Sequence, residues 1–224
     1  MPAPPRRASG RRAPAAPPAG LRTSRRRVGC LAMDEKAMLK LYLQRERDAL
    51  LWKTEGLSER ELRMPRTRTG SNLLGILKHV ATVDVGYFGA LFGRPLPEPL
   101  PWGQDDAEDN ADMWATADPS AAWVRDFAVR AWAHSDVTID TMPLDTTAVV
   151  PWWGSEKRNT TLRTLMVHMT SETARHAGHM DILRELADGS AGKNQENLNL
   201  PPFDDDRWAG YTQMLRQVAE SFPQ

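Results

Sequence analysis

The sequence predicts an all-α fold. The expected architecture is a four-helix bundle with a long loop between helices two and three, an extended crossover before helix four and an extra C-terminal helix. Two observations carry this expectation. Apolar residues recur at helical spacing almost throughout residues 33–224, and cap and stop residues cut that pattern into segments of roughly 20 to 30 residues.

The first helix is expected from about Asp34, a capping aspartate, to Lys53, with Gly56 just beyond its end. The second is expected from Ser71 to about Phe92, where Gly93 and Pro95 form a stop signal. Residues 94–117 combine prolines with an acidic cluster (Asp105, Asp106, Glu108, Asp109, Asp112), which suits a long exposed loop with at most one helical turn. Asp118 and Pro119 read as a cap and first-turn residue opening a third helix to about Thr141. Residues 143–159 look extended. A fourth helix is expected from Asn159 or Thr160 to Gly189, and a last one after Asp204–Asp206 to about Ser221.

The chain has 29 basic and 29 acidic residues, but the balance is uneven. Residues 1–32 hold eight arginines and no acid, which leaves 21 basic against 29 acidic residues in the rest. An acidic body has no broad affinity for a phosphate backbone, so a nucleic-acid function is not expected for the bundle. Residues 1–32 are rich in Pro, Ala, Gly and Arg without hydrophobic period, and we read them as a disordered extension preceding a bundle domain at 33–224. A basic arm, a transit peptide, or an extension upstream of a natural start at Met33 are the other readings of this head. The single cysteine, Cys30, lies within it, so neither an internal disulfide nor a cysteine-zinc site can form. No apolar run approaches the roughly 20 residues that span a bilayer, and the expectation is a cytoplasmic protein.

The informative segment is the fourth helix, where His168, Glu172 and His176 recur every four residues and His179 follows three later. Side chains four apart on a helix stand one above the other and can share an ion. On a helical wheel His176 falls inside the apolar stripe and Glu172 at its border, whereas His168 and His179 lie further outside. A buried carboxylate beside a buried imidazole is costly unless a cation compensates it, the plain alternative being a hydrogen-bonded Glu–His or Glu–Arg pair. On the second helix His79 sits at the border of the stripe and is the natural third ligand, with His134 on the third helix a weaker one. Asp84 falls near the centre of the second helix's stripe. It either orients His79 or pairs with an arginine of the first helix. Two histidines and a carboxylate leave coordination positions open, as a catalytic ion needs. Zinc, nickel, iron and manganese all suit the ligand types.

The segments SNLLGILKHVATVDVGYF, PWWGSEKRNTTLRTL and VHMTSETARHAGHMDILRE resemble the DinB-like (DinB/YfiT-like) superfamily of metalloenzymes, and within it the mycothiol transferase branch of actinobacteria. The resemblance spans about residues 34–190. It implies a four-helix bundle whose metal ligands are His79, Glu172 and His176, with glutamate in the middle place as in the thiol-using branch, and with His168 and His179 outside the ligand set. It further implies conjugation of mycothiol, a low-molecular-weight thiol, to a small electrophile in detoxification, with one divalent metal, zinc first, holding the thiolate. Trp152 and Trp153 are then candidate walls for the electrophile, or plain packing of the crossover. Arg175, Arg158 and Lys157 are candidate polar groups for the sugar hydroxyls. The rival readings are a thiol-dependent isomerase, a metal-dependent hydrolase, and a non-catalytic metal-binding stress-response bundle. A homodimer fits the apolar surface and exposed tryptophans.

Overall fold

The computed structural model describes residues 33–104 and 106–223. The extension at 1–32, with Cys30, and Asp105 of the acidic cluster lie outside the described residues. Six α-helices run through the rest: α1 (Glu35–Trp52), α2 (Glu59–Arg63), α3 (Leu73–Phe88), α4 (Ala121–Thr141), α5 (Leu162–Asp188) and α6 (Asp205–Glu220). The bundle consists of α1, α3, α4 and α5, with α3 packed on both α4 and α5 and α1 packed on α5. No helix among the described residues is long and apolar enough to cross a membrane.

The helix ends follow local chemistry. Asp34, Thr161 and Asp204 each cap the helix that follows by accepting a backbone N–H. Gly189 closes α5 in the left-handed region at φ 78°, a conformation that costs glycine little, and its N–H reaches the Glu185 carbonyl. Four boundaries differ from expectation. Asn159 and Thr160 do not open α5 but lie in a short extended strand, and the helix begins at Leu162 behind its cap Thr161. Asn72, not Ser71, caps α3, because its side-chain oxygen accepts the Gly75 N–H at 2.8 Å. The regular helix ends at Phe88 and a 3₁₀ turn, Ala90–Phe92, completes the segment. Ser120 opens α4 by accepting the Trp123 N–H, so Asp118 and Pro119, joined by a cis peptide bond, lie before the helix.

Three stretches carry more structure than their composition suggests. The short α2 escaped prediction because five residues are too few to show a period, although Ser58 and Glu61 have capping-box spacing. The crossover forms a small antiparallel hairpin, β1 (Thr147–Val149) with β2 (Asn159–Thr161), in which Ala148 faces Thr160. Residues 94–117 are also less free than an exposed loop. They contain 3₁₀ turns at Pro101–Gly103 and Ala111–Met113, and the second of these packs on α3. The helix α6 is present as expected but buries none of its residues.

The core holds leucines, alanines and methionines from all four bundle helices, yet it is not purely apolar. Arg47 on α1 and Asp84 on α3 are both 0% exposed and pair at 2.8 Å, and Arg47 also reaches Asp136 of α4 at 2.7 Å. Asp84 therefore pairs with an arginine of the first helix and does not orient His79. Desolvation pushes the Asp84 carboxyl above the usual carboxylate range, while the Arg47 guanidinium works against that push. Removing one partner strands the other as a buried charge. We expect Asp84→Ala to cost about 3–5 kcal/mol in urea unfolding, and Asp84→Leu combined with Arg47→Met to recover most of that loss.

Candidate metal centre

The antiparallel run of α3 beside α5 brings together the three residues singled out from the wheel. His79, Glu172 and His176 offer ligand atoms that all lie within 4.8 Å of one another. The two imidazoles meet edge to face with ring centroids 4.8 Å apart. Glu172 Oε1 stands 3.1 Å from His176 Nε2, as the four-residue spacing on one helix allows. The site is sheltered but open on one side: the His176 side chain is 11% exposed and that of Glu172 33%.

The second nitrogen of His79 is occupied. Its Nδ1 donates to Asp112 Oδ2 at 2.6 Å, which fixes the ring and leaves the Nε2 lone pair available. Sequence reasoning missed this partner and offered its role to Asp84 as one of two readings, the other being the arginine pair that Asp84 in fact makes. The available signal was the acidic cluster at 105–112, but nothing local shows which of its members turns back onto α3. On the other side of Asp112, Lys78 is brought down to about 8 by burial, with the charge of Asp112 opposing, and remains an ammonium at neutral pH.

His176 is held neutral. Burial lowers its imidazole below the ordinary value of 6.5, the neighbouring His79 pushes the same way, and Glu172 opposes them. Its buried Nδ1 finds no hydrogen-bond partner among the described residues, and Glu172 finds no lysine or arginine there. A carboxylate with no cationic side chain, facing two imidazoles with lone pairs to give, is a donor set suited to a divalent cation. The residues therefore fit the metal that their types suggest.

The remaining candidates surround this triad at different distances. His179 is exposed and touches His176 edge to face at 5.5 Å. His168 lies one turn before Glu172, wedged between Tyr87 at 5.0 Å and Trp153 at 5.0 Å. The Tyr87 hydroxyl oxygen accepts both indole N–H groups, from Trp152 at 3.1 Å and from Trp153 at 3.0 Å. Trp152 nevertheless remains 59% exposed, so its outer face is free to meet another molecule. Arg175, Lys157 and Arg158 are exposed. His134 is engaged elsewhere, its Nε2 donating to the Arg94 carbonyl at 2.7 Å, and is not part of the cluster.

A family model described as mycothiol-S-transferase matches residues 38–189, from the first turn of α1 to the glycine that closes α5. The chain belongs to the mycothiol-S-transferase family. That match contains all three clustered residues and Asp112, and it leaves α6 outside. Among solved structures, a conserved protein from Enterococcus faecalis is similar with a TM-score of 0.56 and 14% sequence identity, covering 70% of this chain and 99% of its own. A likeness so distant in sequence speaks for the fold alone. No curated protein is significantly similar to this chain.

For this member of the mycothiol-S-transferase family the depressed His176 value has a measurable consequence. In an NMR titration of metal-free protein the His176 ring should protonate with a midpoint below 6.5. The unfolded chain then takes up this proton first as pH falls. The metal-free protein should therefore lose stability on acidification below about 6.5, and a midpoint at or above that value would contradict the assignment.

Proposed function

We propose that this protein is a metal-dependent transferase joining mycothiol to a small electrophile, with one divalent cation held by His79, Glu172 and His176. The observation that carries this reading is the convergence of these three side chains within 4.8 Å in a chain of the mycothiol-S-transferase family. Zinc is the first candidate on ligand type, with nickel, iron and manganese compatible.

A divalent cation bound there supplies the charge that lets a thiol shed its proton near neutral pH. The protein's own part is to hold and to shield. Asp112 orients His79, the i, i+4 pair on α5 presents Glu172 and His176 side by side, and the low proton affinity of His176 keeps its lone pair free. Residues 33–224 contain no cysteine, so the sulfur nucleophile comes from the co-substrate. The new sulfur–carbon bond forms as a leaving group departs with its electron pair or, on an activated alkene, as the adjacent carbon takes up a proton. The exposed face of Trp152, anchored through Tyr87, offers a wall for the electrophile, and the exposed His179, in contact with His176, and Arg175 on the same helix are the candidates for the sugar hydroxyls. The reaction suits a reducing cytoplasm in which mycothiol stays a thiol, and a detoxifying role follows from its chemistry.

Purified protein should carry about one metal per chain by elemental analysis, and His79→Ala or His176→Ala should abolish it. Full occupancy in both variants would overturn the ligand assignment. With mycothiol and a fluorogenic electrophile, the metal-loaded protein should turn over and both variants should fall to background. Turnover indistinguishable from background in the loaded wild type would overturn the transferase reading and leave the metal assignment standing.

A further inference from the structure

The contact between Asp112 and His79 depends on a short piece of chain far from both ligand helices in sequence. The turn Ala111–Met113 lies across α3, and two residues of α3 together with its cap Asn72 grip it by its backbone. Lys78 Nζ donates to the Ala111 carbonyl at 2.7 Å and to the Trp114 carbonyl at 2.8 Å, so a single ammonium spans the two sides of Asp112. Asn72 Nδ2 reaches the carbonyl of Met113 at 3.4 Å. Gly75 presents a bare Cα to the same carbonyl, and any side chain there would run directly into it. A second anchor lies one turn further along α3, where Trp102 Nε1 donates to Thr82 Oγ1 at 2.9 Å and the Trp102 ring lies 4.1 Å from Lys78 Nζ.

We infer that Gly75 and Lys78 are positioning residues for the metal centre, docking the turn so that Asp112 holds His79 with Nε2 turned toward Glu172 and His176. The inference rests on the proposed metal reading, though the ring orientation it concerns exists without the metal. The geometry explains why a glycine stands at Gly75 in the first turn of α3, where it costs helix stability: backbone must approach backbone at that point. It explains as well why Lys78, directly before a ligand, is buried with its ammonium on main-chain carbonyls instead of reaching solvent. A carboxylate on the far nitrogen fixes the imidazole tautomer and orientation, and loss of such a partner typically weakens metal binding about 10–100-fold.

Two readouts test this on the full chain. Zinc affinity, measured by competition with a chromophoric chelator, should fall about 10–100-fold in Gly75→Ala and in Lys78→Met, matching the loss in Asp112→Asn. In metal-free protein, two-bond nitrogen–proton spectra should show His79 protonated at Nδ1 in the wild type and a tautomer mixture in each variant. Unchanged tautomer and unchanged zinc affinity in Lys78→Met would overturn the inference, and that variant carries the test if Gly75→Ala does not fold. A wild type that binds no zinc would overturn the metal reading instead, while the tautomer comparison would still decide whether Gly75 and Lys78 position His79.

Discussion

The register between α3 and α5 is the constraint on which the centre depends. The two helices meet at His79 with His176 and again at Tyr87 with His168, eight positions along each chain in opposite directions. Eight residues of helix span about 12 Å, so one antiparallel packing places the metal-suited cluster and the aromatic cluster at fixed separation along a single groove. A slip by one turn would carry His79 away from both α5 ligands and separate Tyr87 from His168. Neither site could then exist without the other.

The register of α1 against α3 and α4 is fixed from inside the bundle. The buried Arg47 ties α1 to α3 through Asp84 and to α4 through Asp136. Ion pairs in such places add little net stability compared with an apolar core. They discriminate strongly, however, because a shifted helix would bury both charges unpaired. The apolar contacts around them, drawn largely from leucine, alanine and methionine, are tolerant of shape and would by themselves allow neighbouring registers.

Much of this was legible in the sequence, and what was not has a physical explanation. Helical period and capping residues identified the four long helices. Residues four apart on α5 kept a known geometry whatever the rest of the chain did, so Glu172 and His176 could be chosen over His168 and His179 from the wheel alone. His79 followed as the border histidine of a facing helix. Asp84 was recognised as buried, and an arginine of the first helix was one of its two expected partners, but intrahelical geometry could not choose between that pair and an orienting contact to His79. Asp112 was counted among loop acids because its role arises from docking of distant backbone, which leaves no periodic trace. Asp118 and Pro119 looked like a helix start because their types favour one, and Ser120 supplied the actual hydroxyl.

The grip of α3 on residues 111–114 is almost entirely a grip on carbonyl oxygens, which every amino acid possesses. Of that stretch only the side chain of Asp112 is read by the metal-suited cluster. The helix thus holds the turn chiefly by its main chain, with the partly buried Met113 side chain adding an apolar contact to the core, and so delivers the carboxylate to one nitrogen. The place of the carboxylate is in this way set mainly by main-chain oxygens, which a substitution elsewhere in the turn leaves in being.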